Sequence, residues 1–393
     1  MIFRSIFSEL EAQLFKPQAT VITGMRRVGK TTALKFLLSK IEHANKIYID
    51  FEKIENRILF NQNSYSDTEA GLKALGLDFS KPAVLALDEI QLVPHSPSII
   101  KYLYDTYSIK FILTGSSSYY LKNHFTESLA GRKRIFEMFP LAFDEFLLFR
   151  GFKHAQFESF ARQPFSENIF RHFKNEYEAF IQFGGFPEVA IAETNDDKTA
   201  FLKDILNAYI ELDIKLLSDF KLSDELYKLC QILASHTGSR IDLTKLSSIS
   251  GITRHKLNDY LELFEYTYFI HRIPTFTKNK DKEISTQRKV YISDNGILQI
   301  LAQVSSGQAF ENAIALQLLR MGNVSYYQKK TGQEIDFILD EHTAIEVKET
   351  PSLPDLKVLN YRANELDLKQ KWLVGRHFSN PDFKDWYWGG NIF

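Results

Sequence analysis

The chain has 393 residues, of which 44% are hydrophobic and 25% are charged, and its net charge is −1. A chain of this length is expected to form two or three domains, and its near-zero charge excludes a chain-wide basic surface, so a nucleic-acid partner requires a local patch. The single cysteine, Cys230, excludes an intrachain disulfide framework. With no signal-peptide pattern and no apolar run of membrane-spanning length, the sequence predicts a cytoplasmic protein that does not contact a membrane.

Five short apolar runs alternate with helical patterns in residues 1–150. Runs that are apolar almost throughout are typical of strands covered by helices on both faces of a parallel sheet. We therefore predict an α/β domain built on a parallel sheet. The runs are Ala19–Thr23, Lys46–Phe51, Ala83–Leu87, Phe111–Thr114 and Arg134–Phe139.

A phosphate-binding pattern follows the first run, because residues 24–31 read GMRRVGKT and match G-x-x-x-x-G-K-[ST]. In this P-loop pattern the backbone N–H groups face phosphate oxygens, the lysine reaches the β- and γ-phosphates, and the final hydroxyl binds Mg²⁺. The helix that begins at Lys30 directs its positive end at the anion. The sequence therefore predicts a site for ATP and Mg²⁺. The predicted nucleotide-binding residues are Gly24, Arg27, Val28, Gly29, Lys30, Thr31, Thr32, Asp88 and Thr114.

The third apolar run ends in two carboxylates, Asp88 and Glu89. Phosphoryl transfer depends mainly on positioning and charge stabilisation, which two acids at a strand end beside a P-loop can provide. We expect Asp88 and Thr31 to hold Mg²⁺. We expect Glu89 and Lys30 to act in catalysis, with Glu89 positioning and deprotonating the attacking water.

Two later features are candidates for sensing or stabilising the phosphates. Thr114 ends the fourth run and Ser116 follows it; either Thr114 or Ser116 senses the γ-phosphate, or the segment is an ordinary strand-to-turn transition. Arg132 lies in a basic segment, and an arginine finger stabilises the transition state of hydrolysis. We interpret Arg132 either as such a finger, acting in cis or from a neighbouring subunit of a homo-oligomer, or as part of a solvated basic loop.

Residues 151–220 have a helical period and are predicted to connect the first domain to a winged helix at residues 221–284. A helix–turn–helix pattern spans residues 243–261. Gly251 lies at the predicted turn, and Thr253 is the predicted cap of the second helix.

DNA is the predicted partner of this winged helix. Arg254, His255 and Lys256 lie at the start of the second helix, which enters the major groove in such motifs. Alternation over Tyr266–Phe276 predicts the hairpin of the wing. The alternative is a winged helix used for domain packing or oligomerisation. Further phosphate contacts are predicted from Lys278, Lys280, Lys282, Arg288 and Lys289.

The final third, residues 285–393, returns to an α/β pattern and carries a nuclease-like set of residues. Asp336 lies on one strand, and Glu346 and Lys348 lie two residues apart on the next, so they share a face. A hairpin brings these acids together, where they are predicted to hold Mg²⁺ with Glu311 from an upstream helix, while Lys348 is predicted to act in catalysis. The order of helix, three strands, helix and strand matches the PD-(D/E)xK nuclease core, which can also persist without metal or cleavage.

Taken together, these motifs resemble the prokaryotic AAA-type P-loop ATPases whose C-terminal half joins a winged helix to a restriction-endonuclease-like domain. The resemblance covers nearly the whole chain and implies an ATPase sheet and a cytoplasmic location. It leaves two hypotheses: an ATP-dependent protein that acts on DNA, or a nucleotide-switched regulatory or scaffolding protein with an inactive nuclease-like domain. The motifs are Gly24–Thr31, Leu87–Gln91, Leu113–Ser117, Leu129–Arg132, Phe139–Phe146, Gly184–Pro187, Tyr291–Gly296, Asp336 and Glu346–Lys348.

Overall fold

A computed structural model describes residues 1–62, 64–116, 131–214, 223–277, 286–329, 332–378, 380 and 382–393. The chain folds into two compact units that are each assembled from separate segments. The first unit comprises Met1–Phe139, Glu211–Asp219 and Tyr266–Tyr268. The second unit comprises Pro140–Ile210, Phe220–Glu265 and Phe269–Phe393.

The first unit contains a five-stranded, fully parallel sheet in the order β2-β3-β4-β1-β5. All five strands lie within one or two residues of the predicted apolar runs, so the predicted sheet is confirmed. The strands are β1 (Ala19–Thr23), β2 (Lys46–Asp50), β3 (Ala83–Asp88), β4 (Ile109–Gly115) and β5 (Lys133–Glu137). The helices are α1 (Ile6–Leu14), α2 (Lys30–Ser39), α3 (Ile54–Phe60), α4 (Tyr65–Ala74) and α5 (Ser96–Thr106).

Burial explains why these strands are apolar on both faces. All residues of β1 and of β3 are buried. Alternate residues of β1 and β3, such as Val21 and Leu85, pack with Phe111 of β4 into one apolar core beneath α5. Because a parallel sheet places the carboxyl ends of its strands along one edge, residues 23, 88 and 115 lie at the same edge.

The second unit contains most of the helices and a second sheet. Its core is rich in aromatic side chains, and includes Tyr177, Phe310 and Trp388. The helices are α6 (Phe143–Phe149), α7 (Glu167–Phe183), α8 (Pro187–Ile191), α9 (Asn195–Ala208), α10 (Ser223–Ser235), α11 (Leu243–Ser250), α12 (Arg254–Tyr266), α13 (Asn295–Leu301), α14 (Ser306–Leu319) and α15 (Leu353–Glu365). A π-helix, Tyr209–Ile214, follows α9, and its residues from Glu211 onward belong to the first unit.

The second sheet has five strands in the order β12-β11-β10-β9-β8. Strands β8, β9 and β10 are antiparallel neighbours, whereas β11 runs parallel to β10 after the crossover through α15. The predicted order of helix, three strands, helix and strand is therefore present from α14 to β11. The strands are β8 (Val324–Gln328), β9 (Glu334–Leu339), β10 (Thr343–Lys348), β11 (Gln370–Gly375) and β12 (Tyr387–Trp388).

The predicted wing differs from the structure. Strand β6 (Ile270–Ile273) does not turn back within Tyr266–Phe276, but pairs with β7 (Lys289–Ile292). The reason is that the chain after β6 continues along β8, where Phe276 N donates to the Tyr326 carbonyl at 2.6 Å. The expected boundary after residue 284 therefore falls between two paired strands.

None of the helices in the described ranges has the length and apolar character needed to cross a bilayer.

Candidate nucleotide site and carboxylate cluster

The loop between β1 and α2 has the backbone conformation that its glycines allow. Gly24 and Gly29 have positive φ angles of 151° and 102°, and Arg27 adopts a φ of 62°. A Cβ at Gly24 would lie 2.0 Å from the Met138 carbonyl oxygen, so no other residue fits there without moving the backbone. Gly29 directly precedes α2, whose first N–H groups are therefore directed at the loop.

Lys30 is buried under the loop. Its Nζ donates to the carbonyl oxygens of Gly24 at 2.9 Å and Met25 at 2.8 Å. Burial lowers the pKa of Lys30, and the nearby carboxylates of Glu89 and Asp213 oppose this shift. The ammonium group of Lys30 is thus held beside the loop by two backbone carbonyl groups.

Asp88, at the end of β3, accepts three hydroxyl donors. Thr31 Oγ1 lies 2.8 Å and the Tyr48 hydroxyl lies 2.9 Å from Asp88 Oδ2, and Thr114 Oγ1 donates to Oδ1. Burial and the adjacent Asp88 raise the pKa of Tyr48, so the phenol stays a donor. The structure therefore joins the P-loop threonine directly to the predicted acidic residue.

Glu89 follows Asp88 in a left-handed conformation with a φ of 57°, which turns the chain sharply after the strand. Its backbone N–H donates to Thr114 Oγ1 at 3.0 Å, and its carboxylate accepts from the Gln91 amide. Thr114 consequently bonds to both acids, and its described contacts are with Asp88 and Glu89. Ser116 bonds to Gln91 instead, at 3.0 Å.

The residues present fit a nucleotide with Mg²⁺. Mg²⁺ prefers oxygen ligands and keeps phosphate and water in its shell, and Thr31 and Asp88 already share such an oxygen contact. The start of α2 suits an anion. Thr23 Oγ1, just before the loop, is buried and has no hydrogen-bond partner among the described residues. Val28 lies buried in the loop, whereas Arg27 and Thr32 are exposed beside it.

Arg132 lies away from the P-loop of its own chain. Its carbonyl accepts from Ala19 N at 2.8 Å, which places it at the amino ends of β1 and β5. Its guanidinium pairs with Asp105 at 3.1 Å, and both side chains are about two-fifths exposed. Because the P-loop lies at the opposite ends of the strands, the structure does not support Arg132 as a finger in cis. A role in a neighbouring subunit stays a prediction.

The helix–turn–helix is formed as the sequence indicated, with a three-residue turn from Gly251 to Thr253 between α11 and α12. Gly251 has a φ of 77°, in the left-handed region that favours glycine at a helix end. Arg254 is exposed and the side chain of His255 is 92% exposed, whereas Lys256 is half-buried beside Glu225.

The predicted basic run divides into exposed and buried members. Arg288 is exposed, but Lys289 is only 5% exposed and its ammonium pairs with Glu334 at 2.6 Å. Lys289 therefore does not supply a phosphate contact, because its strand β7 directs it into the protein. Lys278, Lys280 and Lys282 lie outside the described residues.

The acidic residues of the C-terminal third lie together, as predicted. Asp336 accepts from the Val347 backbone N–H at 2.8 Å, and Glu346 pairs with Lys348 at 2.8 Å. Glu311, on α14, accepts from the Tyr291 hydroxyl at 2.7 Å. We name the group formed by Glu311, Glu334, Asp336, Glu346, Lys289, Lys348 and Arg362 the carboxylate cluster.

Lys289 forms ion pairs with two acids of this cluster, of which Glu311 was a predicted metal ligand. Its Nζ lies 3.5 Å from Glu311 and 2.6 Å from Glu334. In the part of the chain that the structure describes, no group of three or more His, Cys, Asp or Glu side chains is arranged to hold a metal ion. The arrangement of Glu311, Asp336 and Glu346 therefore does not support a Mg²⁺ site, because cationic side chains already compensate most of the charge of the cluster.

Burial raises the pKa values of three acids in the carboxylate cluster. Glu346 is 6% exposed, and burial followed by repulsion from Asp336 raises its pKa to about 7. Its Oε2 is buried without a hydrogen-bond partner among the described residues. Burial also raises the pKa values of Glu311 and Asp336, while Lys289 opposes both shifts.

Several residues of the two sites were not predicted. Tyr48, Gln91 and Asp213 lie around Asp88 and Glu89, and Lys289 lies in the carboxylate cluster as an ion-pair partner. The only sequence signal for these roles is polarity within otherwise apolar surroundings, as at Tyr48 in β2.

Comparisons with known proteins agree with the P-loop geometry. Residues 16–147 match the family described as an AAA domain. Residues 174–308 and 306–389 match two families described as domains of unknown function, DUF8612 and DUF4143. Residues 16–147 are thus similar to an AAA domain, and the two other matches name no activity.

Similar proteins extend over most of the chain. The uncharacterized protein MJ1544 of Methanocaldococcus jannaschii is 28% identical over 84% of this chain and 74% of its own length. An uncharacterized protein of Haemophilus influenzae is 26% identical over 81% of this chain and 78% of its own length. The RuvB Holliday junction branch migration motor of Thermotoga maritima aligns over 70% of this chain and 90% of its own, at 16% identity and a TM-score of 0.34.

Proposed function

We propose that this protein binds and hydrolyses ATP at the P-loop of its first unit. The observation that carries the proposal is the direct contact between Thr31 and Asp88, 2.8 Å apart, beside the buried Lys30. This contact joins a phosphate-binding loop to an acidic strand end, which is the combination that hydrolysis of a nucleoside triphosphate needs.

Each residue has a distinct task. Lys30 exchanges its carbonyl contacts for phosphate oxygens, which carry more negative charge than a carbonyl. Thr31 and Asp88 would hold Mg²⁺, which neutralises charge on the phosphates when bound. Glu89 orients the attacking water and accepts its proton, since Glu89 directly follows Asp88 in the chain. Tyr48 and Thr114 orient Asp88 through their hydroxyl groups.

The test of ATP binding compares Lys30→Ala with Lys101→Ala, a matched loss of an exposed lysine from α5. We expect Lys30→Ala to lose ATP binding in a titration and phosphate release in a turnover assay, with Lys101→Ala unchanged. Wild-type ATP affinity in Lys30→Ala would contradict the assignment of the P-loop.

We also propose that the helix–turn–helix of α11 and α12 binds DNA. Arg254 and His255 are exposed at the start of α12, where recognition helices contact DNA in such motifs. Phosphate contacts make DNA affinity fall steeply with salt. We expect Arg254→Ala to weaken binding about fivefold or more, and Lys357→Ala, at an exposed position of α15, to leave it unchanged. The absence of salt-dependent DNA binding by the wild-type protein would favour the scaffolding alternative.

The carboxylate cluster favours a second unit that does not cleave DNA. The supporting observation is that Lys289 pairs with Glu311 and Glu334, so the acids are compensated within the protein. We expect plasmid and single-stranded DNA to stay intact with Mg²⁺ or Mn²⁺, with and without ATP. Cleavage that Lys348→Ala abolishes would instead make the cluster a nuclease site.

A further inference from the structure

A buried carboxylate from a distant part of the chain reaches the P-loop. Asp213 is 2% exposed and lies in the segment Glu211–Asp219 that belongs to the first unit. Its Oδ1 accepts from Arg26 Nε at 2.9 Å, although the two residues are 187 positions apart in sequence. Arg26 is a P-loop residue, so Asp213 contacts the nucleotide site without belonging to any of its motifs.

The same oxygen of Asp213 also accepts a second hydrogen bond, from Ser116 Oγ at 2.8 Å. Ser116 follows β4, and its oxygen accepts from Gln91 Nε2 at 3.0 Å. The second proton of that amide goes to the carboxylate of Glu89. A continuous chain of hydrogen bonds therefore runs from Asp213 through Ser116 and Gln91 to Glu89.

The direction of these bonds is determined by the chemistry of the partners. A carboxylate only accepts hydrogen bonds, so the NH₂ end of Gln91 must face Glu89. Gln91 Oε1 then has no partner among the described residues, although it is buried. Ser116 has one proton, which goes to Asp213, so its oxygen is free to accept from Gln91. The direction of each hydrogen bond therefore determines the direction of the next. Removal of Asp213 leaves the hydroxyl proton of Ser116 without its acceptor.

The charged groups around Asp213 also stabilise one another. Burial raises the pKa of Asp213, while Arg26, Ser116 and Lys30 oppose this shift. Burial would lower the pKa of Arg26, but Asp213, Glu89 and Glu52 outweigh it and raise the value. Arg26 therefore stays charged at the P-loop and holds Asp213 in place by an ion pair.

We propose that Asp213 is a positioning residue for hydrolysis, which orients Glu89 through Ser116 and Gln91 and is itself held by Arg26. The inference rests on the proposed ATP hydrolysis, because Glu89 has a defined task only in that reaction. It assigns Gln91 and Ser116 to the same relay. The relay acts on the step after binding, so its loss lowers kcat rather than raising KM.

The experiment measures kcat and KM for ATP in Asp213→Ala, Asp213→Asn, Gln91→Ala and the double variant Gln91→Ala/Asp213→Ala. We expect Asp213→Ala and Gln91→Ala each to lower kcat about 10- to 100-fold, because a misplaced reacting group has an effect of that size. Asp213→Asn keeps an acceptor for Ser116 and is expected to restore most of kcat. The double variant should be no slower than the slower single variant, because both changes interrupt one relay.

Two results would overturn the inference: a kcat of Asp213→Ala within about twofold of wild type, or multiplicative losses in the double variant. Asp204→Ala, an exposed acid on α9, serves as the matched control and should be unchanged. If Asp213→Ala does not fold, Ser116→Ala tests the same relay with a smaller change. The proposed function fails separately, if wild type shows no ATP hydrolysis that Lys30→Ala removes.

Discussion

Both units of this protein place acidic side chains close together, but the partners of these carboxylates differ. In the P-loop unit, Asp88 accepts hydrogen bonds from the hydroxyl groups of Thr31, Tyr48 and Thr114. In the carboxylate cluster, Glu334 and Glu346 pair with the ammonium groups of lysines instead. A hydroxyl leaves the carboxylate charge uncompensated, whereas an ammonium group neutralises it.

The P-loop site therefore needs an external cation, whereas the carboxylate cluster contains cationic side chains of its own. The cluster has four acids, Glu311, Glu334, Asp336 and Glu346, against three cations, Lys289, Lys348 and Arg362. One further proton would make it neutral, and the raised pKa of Glu346 supplies a place for that proton.

The largest expected effect follows from removing the internal cation. Lys289→Met should lower the free energy of unfolding by about 3–5 kcal/mol, because it leaves buried carboxylates without a counter-charge. Urea denaturation followed by far-ultraviolet circular dichroism measures this change. Lys348→Met is the matched control: Lys348 is 37% exposed, so water replaces part of the lost ion pair and the effect should be less than half. Equal losses from both variants would contradict a central role for Lys289.

The two sites should also respond differently to the loss of one acid. Asp88→Ala is expected to lower the rate of ATP hydrolysis about 100- to 1000-fold, the size of effect seen when a group that stabilises transition-state charge is removed. Asp336→Ala should leave the hydrolysis rate within about twofold, since its partners lie in the carboxylate cluster, and should act on stability instead. A slow Asp336→Ala enzyme would show that the two sites are coupled.

The raised pKa of Glu346 predicts a pH dependence of stability. An acid with a higher pKa in the folded than in the unfolded state stabilises the fold below its unfolded pKa, and this contribution is lost as pH rises through the folded pKa. For Glu346 the window extends from its ordinary value of 4.5 to about 7. The loss amounts to about 3 kcal/mol.

Glu346→Gln removes this titration, so the difference in unfolding free energy between variant and wild type should change by that amount between pH 4.5 and pH 7. Urea denaturation at several pH values measures the difference. Glu349→Gln changes an exposed glutamate three residues away in the sequence. This variant is the control and should follow the wild-type curve. A Glu346→Gln curve parallel to wild type would mean that folding does not raise the pKa of Glu346.

The parts of the fold that the sequence predicted depend on local chemistry. The P-loop spacing and the mostly apolar strands β1 and β3 require only neighbouring residues, and the structure contains both the loop and the buried strands. The proximity of Asp336 to Glu346 was also predictable, because one hairpin joins their strands.

The parts that could not be predicted depend on contacts between distant segments. Asp213 reaches Arg26 over 187 positions, and Tyr48 reaches Asp88 over 40. Lys289 stands in a basic run that is typical of a solvated surface, and only the pairing of β7 with β6 directs it toward Glu334. Residue type was visible in the sequence at each position, but the partner that determines its chemistry was not.

The smallest expected effect concerns Tyr48, whose hydroxyl donates to Asp88 Oδ2 at 2.9 Å. Tyr48→Phe removes this one hydrogen bond and leaves the contacts of Asp88 with Thr31 and Thr114 in place. Since a single such bond contributes about 1 kcal/mol, kcat/KM for ATP should fall about fivefold. Tyr361→Phe, on exposed α15, provides the same substitution where Glu365 is the acceptor and should leave kcat/KM unchanged. A loss as large as that of Asp88→Ala would mean that the phenol itself takes part in hydrolysis. The hydroxyl groups around Asp88 would then do more than orient its carboxylate.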